Sequence, residues 1–325
     1  MKRRILLALA AACSAGLVPA TTAFAQGFPE RAVRIVVPYG AGGNFDVIAR
    51  LLGQHLSERW GKPVVIDNKP GANGNIGTAE VLRTAPDGYN LVMVSNGTLA
   101  INPGLYKTMP FDSLTGLTPI TIVTSNPLVL VVNKSFPVNT VQEFVAYVRA
   151  NPGRVNLANG GNGTLSHLSA EMLKSRTGSQ IVAVPYKGTS FAVTGVLSGE
   201  VQGMFDTIGT ALPLIDSGQV KALAVTSPTR FPLRPELPTL AEAGVKDYSA
   251  EAKAVLVGPP GMPRALVERL HRDVAAVLQK PDVRQKLAGM GVQPVGAGPD
   301  EFAIDIRAEL QRWGDIVRSS GAKLE

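Results

Sequence analysis

One local pattern occurs at two separated points of this chain, and that repetition narrows the fold more than any other feature. Arg34-Ile35-Val36-Val37 is a short apolar strand. It passes through Pro38-Tyr39 into Gly40-Ala41-Gly42-Gly43-Asn44-Phe45-Asp46, and helix-like spacing follows from Val47 to Leu56. The unit returns at Val155-Asn156-Leu157-Ala158, then Asn159-Gly160-Gly161-Asn162-Gly163-Thr164, then helix-like Leu165 to Ser175. Glycine lets the backbone turn its N–H groups toward a ligand. A helix N-terminus carries about half a positive charge. A single loop of this kind is equally well read as a tight turn. Two of them, in a chain long enough for two domains, predict two halves that close on one small anion.

The rest of the chain supports an α/β architecture. Strand-like runs at Val33–Val37, Pro63–Asp67, Tyr89–Val94, Leu128–Val132, Val155–Leu157, Ile181–Val184, Val201–Phe205, Val220–Thr226 and Ala254–Val257 alternate with helix-like segments. Alternation of this kind predicts largely parallel sheets, with ligands beyond the carboxyl ends of the strands. Two further small-polar clusters, Ser95-Asn96-Gly97-Thr98 and Asn68-Lys69-Pro70-Gly71-Ala72-Asn73-Gly74-Asn75, also follow strand ends. These loops are rich in amides and glycine, and the two glycine loops contain neither Lys nor Arg. That chemistry suits a carboxylate held by backbone N–H groups and Asn/Thr side chains. Proline-marked stretches near 119–132 and 250–258 read as crossings between lobes. One lobe is then 26–125 plus 255–325, and the other is 126–250.

Residues 1–25 read as a secretory leader. Lys2-Arg3-Arg4 precedes the apolar run Ile5–Val18, and Ala23-Phe24-Ala25 is a small-x-small cleavage site. The run is too short to span a membrane as a helix. Arg3-Arg4 leaves both the general secretory and the twin-arginine routes open. Cleavage lowers the formal charge from +7 to +4 and removes Cys13, the only cysteine. The mature chain then has no disulfide and no thiol nucleophile. Its mild basicity lacks the Lys/Arg runs with interleaved aromatics that mark nucleic-acid binding.

Other chemistries are poorly supported. Gly40-x-Gly42 with Asp67 at the next strand end imitates a dinucleotide fingerprint. Phe45, however, stands where the third glycine would allow close helix–strand packing. His55, His167 and His271 are scattered, and no pair has metal-ligand spacing. No cofactor and no metal is expected. Ser166 and His167 are sequence neighbours and cannot face each other from one helix. His167 reads as a packing or capping residue. Asp206, ending Met204-Phe205-Asp206, reads equally as a helix cap or a ligand acceptor.

Taken in order, the motifs resemble those of a known family, the periplasmic solute-binding receptors of tripartite tricarboxylate transporters, or Bug receptors. The resemblance rests on Val37-Pro38-Tyr39…Gly42-Gly43…Asp46…Ala49-Arg50, on Asn68 through Gly77, and on Ala85-Pro86-Asp87-Gly88-Tyr89. It continues through Asn102-Pro103…Leu105-Tyr106, Gly161-Asn162-Gly163-Thr164…His167-Leu168 and Pro185-Tyr186-Lys187-Gly188. Phe205-Asp206, Ala222 through Thr226, and Leu237-Pro238-Thr239…Glu242-Ala243-Gly244 complete it. The resemblance implies a two-lobed Venus-flytrap fold of the type II kind, with a small organic carboxylate held between the lobes and no enzymatic activity. It implies a periplasmic monomer that serves membrane transporter subunits or, alternatively, a sensor kinase. A secreted enzyme on the same scaffold is a further alternative.

The ligand-binding residues so implied are Tyr39, Ala41, Gly42, Gly43, Asn44, Phe45 and Asp46 in the first loop. In the second they are Asn159, Gly160, Gly161, Gly163, Thr164 and His167. Ser95, Thr98, Lys187 and Asp206 complete the set. Two positions depart from the resemblance. Phe45 stands where many members have Thr, and Lys253 where many have Trp. Lys253 then either answers a second ligand carboxylate in the cleft or extends into solvent.

Overall fold

The computed structural model describes residues 27–324, so the expected leader, with Cys13 and Arg3-Arg4, lies outside the described residues. The chain begins β1 (Val33–Val37), α1 (Asn44–Trp60), β2 (Val64–Asn68), α2 (Asn75–Leu82), β3 (Asn90–Ser95), α3 (Asn96–Ala100) and α4 (Asn102–Leu105). The long β4 (Thr118–Asn133) leads to α5 (Val141–Ala150), β5 (Val155–Asn159), α6 (Leu165–Thr177), β6 (Ile181–Pro185) and α7 (Thr189–Ser198). Next come β7 (Gly203–Thr207), α8 (Ile208–Asp216), β8 (Val220–Val225) and β9 (Glu251–Gly258). The chain closes with α9 (Arg264–Leu278), α10 (Pro281–Gly289), β10 (Gln293–Ala297) and α11 (Pro299–Ser320).

The strands run in the order β2-β1-β3-β9-β4-β7-β5-β6, with β8 and β10 also paired to β4. β1, β2 and β3 are parallel, as are β5, β6 and β7. These are the two strand–loop–helix halves read from the sequence. Every pairing made by β4 and β9 is antiparallel. The expectation of largely parallel sheets is corrected accordingly: the crossing strands enter each sheet against its direction.

β4 is also the joint. Its first part pairs with β9 and β10, and its last part, from Leu128, pairs with β7 and β8. Thr226 fastens the return crossing beside it. The Thr226 hydroxyl accepts the Leu128 N–H at 2.8 Å and reaches the carbonyls of Leu128 and Ala250. Ala250 N–H in turn donates to the Thr226 carbonyl at 3.0 Å.

β1 buries Val33, Ile35, Val36 and Val37, the near-continuous apolar run that a strand covered on both faces requires. One face packs on α1, α9 and α10 through Ile48, Leu52, Leu270 and Leu287. The other shares a core with the second sheet, where Val92 and Val255 join Phe144, Leu157 and Phe205. α11 lies in that shared core. Phe302, Ile306, Glu309, Trp313, Ile316 and Val317 form its buried stripe at helical spacing. Glu309 is the one charged member.

Candidate ligand site

The first glycine loop leaves the start of α1 open. Gly43 occupies the cap position and supplies no side chain, and the loop from Ala41 to Asn44 is exposed. Gly42 has φ +80°, a conformation that favours glycine. Asp46 holds the loop in shape. Its buried carboxylate accepts from Gly42 N–H at 2.8 Å, Arg50 Nε at 3.0 Å and Asn68 Nδ2 at 3.0 Å. The Arg50 hydrogen bond leads these partners in holding the carboxyl below its ordinary range. Asp46, expected among the ligand-binding residues, thus organises the loop from within. Its partners leave the first-turn amides of α1 without a side-chain cap.

Tyr39 builds the floor. Its hydroxyl accepts the Ser95 N–H at 2.9 Å and lies 2.7 Å from Thr98 Oγ1. Thr98 spends its own proton on the Asn73 carbonyl at 2.8 Å, so Tyr39 donates to Thr98. Burial raises the Tyr39 phenol to about 12, so it stays protonated. Ser95 caps α3 by accepting the Gly97 N–H. Tyr39, Ser95 and Thr98 thus form a frame whose hydroxyls are engaged with the protein. Phe45 packs on Tyr39 with the rings tilted by 38° and their centroids 4.7 Å apart.

The second loop is closed on itself. Gly160 N–H donates to Ser166 Oγ, Gly161 N–H to Asn159 Oδ1, and Gly163 N–H to His167 Nδ1. Thr164 caps α6 by accepting the His167 N–H. Because His167 Nδ1 accepts, the ring is neutral with its proton on Nε2, and burial lowers its pKa. His167, expected as a packing or capping residue and, by resemblance, in the ligand set, here holds the Gly163 N–H. One donor is left over: Asn159 Nδ2 is buried with no hydrogen-bond partner among the described residues. Gly163 lies against the first half, since a Cβ there would stand 2.9 Å from Leu105 Cδ1 on α4. The two loops therefore flank the α3–α4 segment, one through Tyr39 and Thr98, the other through Gly163 and Leu105.

The remaining expected residues divide. Lys187 is exposed between β6 and α7. Beside it Thr189 approaches the second loop: a Cβ on Gly160 would lie 3.0 Å from Thr189 Oγ1. Asp206 is the penultimate residue of β7, at the same carboxyl edge. One carboxyl oxygen accepts the Thr207 N–H, and the other is buried without a partner among the described residues. Burial raises its pKa. Lys253 requires a correction, because neither expectation for it holds. It is 9% exposed, and its Nζ donates to Asp305 and to Glu309, the latter at 2.9 Å. It projects from the face of β9 that α11 covers, so its charge is answered inside the protein.

Several supporting residues were named in the sequence only as members of larger motifs, with no role of their own. Asn68 bonds both Asp46 and the Tyr39 carbonyl. Asn96 and Thr226 act across distances that no local pattern reveals. An apolar hollow of about 500 Å³, lined by Phe28, Tyr89 and Leu266 among others, lies at the opposite, amino ends of β1 and β3. It has no part in this site.

Two parallel halves joined by crossing strands, each opening a helix on a glycine loop at its carboxyl edge, define a two-lobed α/β solute-binding fold. The family model of the tripartite tricarboxylate transporter family receptor matches residues 48–322, and the chain belongs to that family. It is 36% identical to Protein BugT of Bordetella pertussis over 302 residues, covering 93% of each chain. Among solved structures it is similar to an R. palustris protein determined with adipate, with 36% identity and a TM-score of 0.75. That match covers 91% of this chain and all of the other. MatC from Rhodopseudomonas palustris, determined with bound malate, gives 32% identity and a TM-score of 0.70, covering 89% of this chain and all of the other. The fold and receptor class read from the sequence motifs are those of these relatives.

Proposed function

We propose that this chain captures a small organic carboxylate between two lobes and delivers it to the membrane subunits of a tripartite transporter. The lobes in this reading are 26–125 with 255–325, and 126–250. Export through the leader would place it in the periplasm, where it acts as a monomer without enzymatic activity. The observation that carries the reading is the pairing of an uncapped α1 start on an exposed glycine loop with a buried, unpaired Asn159 amide in the second loop. Both offer hydrogen-bond donors and neither brings a fixed charge, which suits a carboxylate in a site built of amides. Adipate and malate in the two related structures support the same ligand class. The non-enzymatic reading is supported by His167, whose Nδ1 is occupied by Gly163, and by Ser166, whose hydroxyl bonds Gly160 and Thr164.

A thermal-shift screen of mono-, di- and tricarboxylates, with amino acids and NAD for comparison, tests this. A ligand bound only by the native state at a hundred times its Kd stabilises by about 2.7 kcal/mol. A clear rise in Tm with at least one carboxylate is expected. No rise with any carboxylate, or a larger one with NAD, overturns the proposal.

A further inference from the structure

α11 carries a charged residue at a position its own periodicity assigns to the core. Glu309 is 2% exposed and stands in the stripe between Ile306 and Trp313. Both of its carboxylate oxygens are engaged. Oε1 takes Lys253 Nζ at 2.9 Å and Arg312 Nη2 at 3.2 Å, and Oε2 takes Asn96 Nδ2 at 2.6 Å. Asn96 is saturated as well. Its Nδ2 also donates to the Glu251 carbonyl at 3.0 Å, and its Oδ1 accepts the Lys253 N–H at 2.9 Å. Asp305 shares the Lys253 ammonium, and Ser125 on β4 holds the Glu251 carboxyl at 2.7 Å. Replacing a buried ion pair by apolar groups of similar volume is often neutral or stabilising. Stability alone therefore gives no reason for this cluster, whereas a buried network in which Glu309, Lys253 and Asn96 pair with one another specifies one arrangement.

What it specifies is the support of the first loop. Asn96 begins α3. The residue before it, Ser95, donates its N–H to Tyr39, and Thr98, two residues on, accepts the Tyr39 proton. A displacement of Asn96 moves both partners of Tyr39 together. We infer that Asn96, Lys253 and Glu309 form a buried clasp that positions the Tyr39 frame, and that these three side chains set ligand affinity without touching the ligand. α11 also packs on α6, the helix that opens at the second loop. The clasp thereby fixes one helix against the supports of both loops. Lys253, where resembling receptors carry Trp, is a positioning residue in this chain.

The inference rests on the carboxylate reading, and the experiment separates the two. The wild-type chain is titrated calorimetrically with adipate and malate. Binding of either supports the reading and supplies the probe; binding of neither counts against the reading alone. Lys253→Met is then compared with Val283→Ala, a core truncation on α10 remote from the clasp, at temperatures equally far below each Tm. The expected result is a roughly tenfold loss of affinity in Lys253→Met, less than twofold in Val283→Ala, and recovery in Lys253→Arg. Hydrogen exchange needs no ligand. Amides of residues 95–100 should exchange at least about tenfold faster in Lys253→Met than in Val283→Ala under equal global stability. Glu309→Gln takes the place of Lys253→Met if that variant does not fold. Equal exchange in the clasp and control variants overturns the inference, as does equal affinity where a probe binds.

Discussion

The two glycine loops share a sequence plan and differ in what they do with their hydrogen bonds. In the first, one side chain, Asp46, gathers Gly42, Arg50 and Asn68, while the helix start beyond Gly43 remains uncapped. In the second, Asn159, Thr164, Ser166 and His167 each take an N–H of the loop or of the first helical turn. The first loop therefore leaves its helix-start N–H groups free of side-chain partners. The second must exchange internal partners for external ones if its glycine N–H groups are to contact a ligand. Preorganised donors bind without that cost. A glycine-rich loop before a helix thus specifies where the chain turns, but not which of its amides are available.

Glycine substitution is the strongest way to break this comparison. Gly163 combines φ +77° with a Cβ direction aimed at Leu105. Gly43 has φ −75°, and its nearest neighbour would be the Gly40 carbonyl at 3.5 Å. Gly163→Ala should cost about 2–3 kcal/mol in urea unfolding. Gly43→Ala should cost less than about 1 kcal/mol. Similar losses at both positions would mean that the loops are equally constrained.

Removing the two organisers comes next. Asp46→Ala deletes three hydrogen bonds, two of them from neutral donors, and should destabilise by about 1–3 kcal/mol. Thr164→Ala, which removes the cap of α6, should cost about 1 kcal/mol. Unfolding curves for the two variants rank the organisers, and a larger loss at Thr164 would reverse the assignment.

The loops should also respond to acid in different windows. The folded pKa of His167 is lowered, so the unfolded chain takes up its proton first. Stability from this group is present above about pH 6.5 and is lost as pH falls from there through the folded pKa. Asp46 is lowered as well, and its contribution is present above about pH 3.9 and is lost as pH falls through its folded value. Tm measured against pH should lose its mildly acidic component in His167→Gln and its strongly acidic component in Asp46→Asn. The His167 effect should be on the order of 1 kcal/mol, the worth of one hydrogen bond. An unchanged profile in His167→Gln would remove His167 as the second loop's acid-sensitive group.

The smallest effect belongs to Phe45. Its tilted ring contact with Tyr39 contributes about 0.5–1.5 kcal/mol beyond burial. Phe45→Thr should lower stability by about that amount and leave the Asp46 bonds in place. A loss well above that range would show that the ring also shapes the loop.

The repeated strand–loop–helix units were legible because their determinants are local. β1 and β5 are short apolar runs, and glycine marks where the chain must turn. β10 was not legible: Gln293-Pro294-Val295-Gly296-Ala297 carries Pro and Gly and pairs irregularly with β4. The sequence also located the loops correctly while leaving open the roles of particular side chains. Asp46 was readable as a ligand-binding residue, but its bonds to Gly42, Arg50 and Asn68 inside the loop were not. Lys253 was readable as an unusual residue, but its partners Asp305 and Glu309 lie 52 and 56 positions away. Asn96 meets Glu309 across 213 residues. Helical spacing marks the stripe that holds Glu309, but only tertiary packing states which strand it faces.

β4 has a mechanical consequence. It is 16 residues long and paired along both parts, with register irregularities before and after the joint. Such irregularities increase local twist without ending the strand. Any rotation of one sheet relative to the other is therefore carried as torsion along a hydrogen-bonded ribbon, with Thr226 riveting the second crossing to it. A backbone ribbon shared by both sheets gives such a rotation a continuous path, and the amide protons of β4 beyond Leu128, held in ladders to β7 and β8, should be among the slowest to exchange.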